Sequence, residues 1–270
     1  MHRVMGIVNV TPDSFSDGGA FLDPRAAIAH GYTLVGEGAA ILDVGGESTR
    51  PGADPVPEEL ELRRVVPVIE GLRDTGAELS IDTMKLRVAE AAMQAGATLV
   101  NDVTALRHDP EIAGLVADRG GELCLMHMLG EPRTMQQDPR YDDVVSEVKA
   151  FLEERLEAAI REGIKEERVL LDPGIGFGKT IDHNLELLRR LDEIVAIGRP
   201  VVVGTSRKTF LGTISGRDVG DRLGGTIATN VLALARGASI FRVHDVAPVA
   251  DALAVAAATL AGRWRPTTTT

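Results

Sequence analysis

The chain of 270 residues reads as an α/β protein, a closed parallel (β/α)8 barrel of the TIM type forming a single domain, and three observations carry that expectation. Short β-branched or aliphatic runs alternate eight times with longer amphipathic or Ala-rich segments, the pattern of repeated βα units. Runs such as Val201-Val202-Val203 and Val169-Leu170-Leu171 are apolar throughout, as strands covered on both faces must be. Polar residues recur at the ends of nearly all the runs, whereas an open doubly wound sheet would gather them at one switch point. Closure also removes both sheet edges.

Strands are expected at residues 4–10, 40–44, 79–82, 98–102, 123–127, 169–172, 201–204 and 239–243, each followed by a helical segment. The clearest helix spans 141–163, where Val145, Val148, Leu152, Leu156 and Ala159 recur at intervals of three and four and Gly163 forms the C-cap. The charged run 58–64, with Glu59 and Arg63 at i,i+4, is expected as a solvated helix face without a functional role. No linker or low-complexity segment divides the chain. One domain is therefore expected over residues 1–262, followed by a disordered tail at 263–270.

The net charge of −11, with no local run of Lys and Arg, argues against nucleic acid as a partner. The one cysteine, Cys124, lies inside an apolar run, so no intrachain disulfide is available and an inert core thiol is expected. Nothing near Met1 reads as a secretion signal, and the uncharged stretch toward Gly262 is too short to span a bilayer, so a soluble, cytoplasmic protein is expected.

The residues at the strand ends are Asn9, Asp43, Asp82, Asn101 with Asp102, His127, Asp172, Ser206-Arg207-Lys208, and Arg242 with His244. Asp43, Asp102 and His127 are expected to cap helices or bond loop amides. Arg242 and His244, two apart, share one face of a strand, and a guanidinium fork beside an imidazole suits a phosphate or carboxylate. With Ser206, Arg207 and Lys208 they would form a locally positive region on an acidic protein, which argues for a small anionic substrate. Asp82, Asn101 and Asp172 form an acceptor-rich set for the donor edge of an aminopyrimidine-bearing heterocycle, or alternatively for a metal.

The segment Asp172-Pro173-Gly174-Ile175-Gly176-Phe177-Gly178-Lys179-Thr180 fails the Walker pattern at Pro173 and the dinucleotide fingerprint at Lys179. It reads instead as a flexible loop presenting Phe177 to a ligand. Two further loops with glycines, carrying Asp13, Ser14, Phe15 and Asp17 after the first strand and Ser48, Thr49, Arg50 and Pro51 after the second, read as mobile lids.

Eight motifs in order, from Asn9-Val10-Thr11-Pro12-Asp13-Ser14-Phe15-Ser16-Asp17-Gly18-Gly19 through the Gly45 to Gly52 loop, Ser80-Ile81-Asp82-Thr83, Asn101-Asp102-Val103, Met126-His127-Met128, Asp172 to Lys179 and Ser206-Arg207-Lys208 to Arg242-Val243-His244-Asp245, resemble the dihydropteroate synthases, folate-pathway enzymes of the pterin-binding family. The resemblance implies condensation of 6-hydroxymethyl-7,8-dihydropterin diphosphate with p-aminobenzoate, with Mg²⁺ assisting release of pyrophosphate. It implies a pterin site of Asp82, Asn101, Val103, Met126, Asp172, Phe177 and Lys208. It further implies a diphosphate site of Asn9, Arg242 and His244, with Asn9 acting through the metal. Thr49, Arg50, Pro51 and Ser206 would form the aminobenzoate side, and Asp82, Lys208, Arg242 and His244 the catalytic set.

A homodimer and inhibition by sulfonamides are implied as well. The uninterrupted Ser48-Thr49-Arg50-Pro51-Gly52 stretch leads to the expectation of a sulfonamide-sensitive enzyme. A methyltetrahydrofolate-dependent barrel methyltransferase would share the pterin logic but has no use for a diphosphate clamp. A catalytically silent pterin-binding homologue should lack Asn9, the first loop or Arg242, and all are present in the sequence.

Overall fold

The computed structural model describes residues 2–11, 24–48, 53–131 and 133–263. Asp13, Ser14, Phe15, Asp17, Thr49, Arg50, Pro51 and the tail from residue 264 onward lie outside them. The first half of the chain runs β1 (Arg3–Asn9), α1 (Pro24–Gly36), β2 (Ile41–Gly45), α2 (Glu58–Leu72), β3 (Glu78–Asp82), α3 (Leu86–Ala95), β4 (Leu99–Asp102) and α4 (Ile112–Arg119). The second half runs β5 (Glu122–Met126), α5 (Val144–Arg161), β6 (Val169–Asp172), α6 (Ile181–Arg189), α7 (Leu191–Val195), β7 (Val202–Val203), α8 (Thr209–Ser215), α9 (Leu223–Ala235), β8 (Ile240–Val243) and α10 (Val246–Ala261).

The strands are parallel in the order β6-β5-β4-β3-β2-β1-β8-β7. A bridge between Leu171 and Val201, with the Leu171 N–H donating to the Pro200 carbonyl at 2.9 Å, joins the two ends and closes the barrel. The expected strands all form, within a residue or two at their ends. The seventh shortens from 201–204 to Val202–Val203, because its pairing with β6 reduces to that single bridge. The long helix begins three residues later than expected, where the Asp143 carboxylate accepts the Val145 N–H at 3.1 Å, and the chain leaves it at Gly163 with φ +97°.

Alternation along each strand sends one set of side chains outward under the helices and the other into the barrel. The outward set joins the helices in the main core. Inside, Met5, Ile41, Leu99, Cys124, Leu170, Val202 and Ile240 form a separate apolar layer. Cys124 is fully buried there, the expected core thiol. At the N-terminal end Arg3 pairs with Glu78 at 2.7 Å and Glu122 at 3.7 Å. At the C-terminal end the same inward rows deliver Asn9, Asp43, Asp82, Asn101, Asp172 and Arg242.

The charged run at the start of α2 departs from expectation. Glu61 is only 1% exposed, on the same helical stripe as Val65, Val68, Ile69 and Leu72. Glu58 and Glu59 pair with Arg87 of α3, at 2.7 and 2.9 Å, where sequence spacing suggested Arg63 for Glu59. A carboxylate on an apolar stripe must find buried partners. Glu61 finds them in Thr83 and Lys85.

Candidate active site

Arg242 reaches from β8 across the barrel mouth. Its Nε donates to Asp43 Oδ2 at 2.6 Å and its Nη2 to Asp82 Oδ2 at 2.7 Å. Asp43, fully buried, also accepts from Ser80 Oγ at 2.6 Å and Asn101 Nδ2 at 3.1 Å. The expectation that Asp43 is a cap is therefore corrected. The reason lies in strand alternation, since Asp43 sits two residues from inward-facing Ile41 and shares its side of β2. Asp102 does behave as expected, holding the Thr104 and Leu106 amides at 2.8 and 2.6 Å.

The ring-binding candidates are brought together by β3, β4 and β6. Among the described residues Asp82 Oδ1, Asn101 Oδ1 and Asp172 Oδ2 carry no hydrogen bond, so three acceptors remain for a ligand. Val103 and Met126 cluster with Met128 and Met135, and Phe177 packs against them. Met128, quoted within a motif but given no role, and Met135, outside every motif, are additions to the predicted set. The long connection between β5 and α5 has no periodicity to show which of its methionines turns inward.

The loop after β6 is held tightly, contrary to the expectation of flexibility. Gly174 donates to Asp172 Oδ1 at 2.7 Å, Gly176 to Asn184 Oδ1 at 2.6 Å, and Tyr141 Oη to the Gly178 carbonyl at 2.8 Å. Gly174 has φ +64°, and a Cβ there would stand 1.8 Å from the His127 carbonyl oxygen. Its glycine serves close approach. Lys208 Nζ donates to the Ile175 carbonyl and lies 4.5 Å from the Phe177 ring centroid, a cation–π arrangement that fixes both walls of the pocket.

On the anion side Ser206 Oγ lies 3.0 Å from His244 Nδ1 and accepts the His244 backbone N–H at 3.1 Å. The predicted aminobenzoate and diphosphate sets thus meet at the two hydrogen bonds between Ser206 and His244. Arg207 turns away: at φ +58° its side chain leaves the barrel for the Asp245 carboxylate, while Thr226 Oγ1 and Arg222 hold its backbone. The expected positive region of five groups is corrected accordingly. Arg207 is spent on Asp245 and Arg242 on two carboxylates, so little uncompensated positive charge accumulates.

Burial pushes Asp82 up to about 7, opposed by Arg242 and reinforced by Asp43, Glu61 and Asp102. It raises Asp172 too, against Lys208, the Gly174 N–H, Arg242 and Lys179. It lowers Lys208 to about 8, although Asp172 resists. For Arg242 burial works against the charge, but Asp43 and Asp82 outweigh it and hold the guanidinium protonated. His127 was expected to bond a loop amide. Its Nδ1 instead lies 2.9 Å from Lys179 Nζ, and burial with the nearby cations depresses it to about 2, so a neutral imidazole faces a lysine whose own charge burial disfavours.

A closed parallel barrel with ring acceptors, an apolar slot and an Arg–His pair at its C-terminal mouth defines a barrel enzyme for a flat nitrogenous substrate carrying an anion. Comparison with known proteins narrows that class. Residues 5–244 match the family described as pterin binding enzyme. The chain is 44% identical over 262 residues to dihydropteroate synthase of Escherichia coli strain K12, covering 97% of this chain and 93% of that one. Among solved structures, Yersinia pestis dihydropteroate synthase in a sulfonamide drug complex superposes with a TM-score of 0.91 at 42% identity, over 96% of this chain and 94% of that one. Xanthomonas albilineans dihydropteroate synthase in complex with 7,8-dihydropteroate gives 0.86 at 48% identity, over 96% and 94%. The chain belongs to the pterin binding enzymes and, within them, to the dihydropteroate synthases.

Asp43→Ala would strip Ser80, Asn101 and Arg242 of a shared buried partner. It is expected to lower stability by about 3–5 kcal/mol, the usual cost of leaving a buried charge half-paired, measured by urea denaturation.

Proposed function

We propose that the chain carries out the dihydropteroate synthase reaction, joining p-aminobenzoate to 6-hydroxymethyl-7,8-dihydropterin diphosphate to form 7,8-dihydropteroate and pyrophosphate. The observation that carries the reading is that acceptors on Asp82, Asn101 and Asp172 and donors on Arg242 and His244 stand at one end of one barrel. Among the relatives named above, the Escherichia coli protein bears the name of this activity and the Xanthomonas albilineans protein binds 7,8-dihydropteroate, the product, and nothing in a methyltransferase would use the diphosphate donors. Retention of Asn9 and Arg242 disfavours a silent binding homologue.

In this reading the ring N–H and NH₂ groups of the pterin donate to Asp82, Asn101 and Asp172, and Lys208 donates to its oxygen edge. Val103, Met126 and Phe177 form the walls. Arg242 keeps Nη1 outside its bonds to Asp43 and Asp82, and that N–H, with His244, meets the diphosphate. The C–O bond to the methylene breaks ahead of attack, with Arg242 and His244 bonding the departing oxygens and the Asp82 carboxylate facing the positive charge left on the pterin. The neutral arylamine then forms the C–N bond and loses its proton to solvent, without need of a strong base. Ser206, with Thr49, Arg50 and Pro51, would hold the aminobenzoate, and the sulfonamides that resemble it.

Asn9 projects into the barrel from the end of β1, and its side chain makes no hydrogen bond among the described residues. No group of three or more His, Cys, Asp or Glu among them could hold a metal alone. One amide fits Mg²⁺, which takes most of its ligands from phosphate oxygens and water, so Asn9 would hold the ion. When bound, Mg²⁺ supplies charge neutralisation on the leaving diphosphate. We further infer a single-domain, cytoplasmic homodimer. Support comes from the apolar outer faces of α9 and α10, where Leu232, Val255 and Leu260 are each at least 60% exposed, and from the lack of any described helix able to cross a membrane.

Incubation with both substrates and Mg²⁺ should yield dihydropteroate and pyrophosphate in equal amounts. Arg242→Ala should lower kcat by roughly 100–1000-fold, the loss typical of one preorganised donor, and an unchanged kcat would sink the assignment. Ring donors bind the ionised carboxylates, whereas the free site holds Asp82 protonated up to about 7. Binding should therefore release protons. Affinity for 6-hydroxymethylpterin should strengthen as pH rises from about 5.5 to 7.5, and Asp82→Asn should flatten that dependence in calorimetry.

A further inference from the structure

We propose that Lys179 is a positioning residue for the pterin slot, holding the backbone of Phe177 so that its ring stands as the aromatic wall. The inference rests on the functional reading above and deepens it at a residue outside the predicted set. Phe177 belongs to the loop after β6, where Gly174, Gly176 and Gly178 have φ of +64°, +85° and +61°. A backbone turned that way joins no helix or strand ladder, so its carbonyls need donors from elsewhere. Four side chains supply them. Lys208 donates to the carbonyl of Ile175, Gln136 Nε2 to that of Gly176 at 2.7 Å, Lys179 Nζ to that of Phe177 at 3.0 Å and Tyr141 Oη to that of Gly178 at 2.8 Å.

Of these four donors Lys179 alone is buried, at 3% exposed. Besides the Phe177 carbonyl, its Nζ meets Nδ1 of His127, the residue that follows β5, at 2.9 Å. His127 is itself fixed. Its backbone N–H donates to the Asp172 carbonyl at 2.9 Å, and Phe151 of α5 stands edge-on to its ring with the centroids 4.9 Å apart. The Arg107 guanidinium lies 5.2 Å from the Phe151 ring centroid while its Nη2 donates to the Met128 carbonyl at 2.7 Å. Lys179 therefore transmits a settled position to the backbone of Phe177, whose ring packs against Val103, Met126, Met128 and Met135. Stability alone gives no reason for an amine here, because burial disfavours its charge and an apolar chain of equal length would fill the place. The amine keeps N–H donors whether or not it carries the extra proton.

Lys179 also acts by charge on Asp172, one of the ring acceptors, and on Lys208. Its loss could therefore reach the pterin by two routes. They part when Phe177 is removed, since an effect carried by the wall then disappears and an effect carried by Asp172 or Lys208 persists.

Calorimetry of 6-hydroxymethylpterin binding to the full chain reads the ring slot without the diphosphate or the aminobenzoate. Lys179→Met and Phe177→Ala are each expected to weaken binding about tenfold, and the double variant also by about tenfold, where independent effects would multiply to about a hundredfold. A Lys179→Met protein that binds as tightly as the wild type, or a double variant in which the two losses multiply, would overturn the proposal. Should Lys179→Met fail to fold, His127→Leu, which removes the ring nitrogen beside Nζ, is expected to weaken binding about threefold, and His127→Asn, whose amide can stand near Nδ1, to recover it. Wild-type affinity in His127→Leu, or no recovery in His127→Asn, would overturn the proposal equally. Wild-type protein that binds no pterin defeats the functional reading, whereas wild-type binding with an unaltered Lys179→Met protein defeats this proposal alone.

Discussion

A single guanidinium, placed on the last strand and gripped by carboxylates of the second and third, organises the mouth of this barrel. Arg242 and Asp43 are 199 residues apart in the chain, and their contact exists only once the barrel has closed. Asp43 in turn orients the Ser80 hydroxyl and the Asn101 amide, so that the Asn101 carbonyl oxygen faces outward as an acceptor. The Arg242 fork leaves one nitrogen over for an anion. In the proposed reading, ring recognition and anion recognition are thus coupled through one charged group, and a change in either would be felt by the other.

Around that group the protein holds acids and bases in conditions that favour neither charge. Burial lifts Asp82 and Asp172, and lowers Lys208 and Lys179, so the ligand-free site is held short of full ionisation. A pterin bringing N–H donors and a diphosphate bringing negative charge would supply the missing partners. The same dehydration that is costly in the free protein strengthens each electrostatic contact when the ligand arrives. Lys179, buried against neutral His127 and the Phe177 carbonyl, stiffens the wall of the slot from behind.

The βα alternation and apolar strand runs were legible because period and composition are local. So was the grouping of Asp82, Asn101 and Asp172 at strand ends, and the acceptance of loop amides by Asp102. The buried role of Glu61 was legible in principle, for the charged run lies on the apolar stripe that continues through Val65 and Leu72, but the surrounding charges masked it. Asp43 was misjudged because its partner comes from the far end of the chain. Arg207 was misjudged because a left-handed backbone turn, invisible in residue order, reverses its direction. The glycines after β6 signalled freedom in the sequence and proved to mark close approach, of Gly174 to the His127 carbonyl, Gly176 to the Lys208 side chain and Gly178 to Leu129.

From the sequence alone came the repeating architecture, the residue types at each strand end and the kinship of the motifs, since all of these depend on neighbours along the chain. Tertiary structure alone decided which charges neutralise one another. Pairing depends on shear and closure, which bring residues from opposite ends of the chain within hydrogen-bonding reach across a barrel whose interior excludes water.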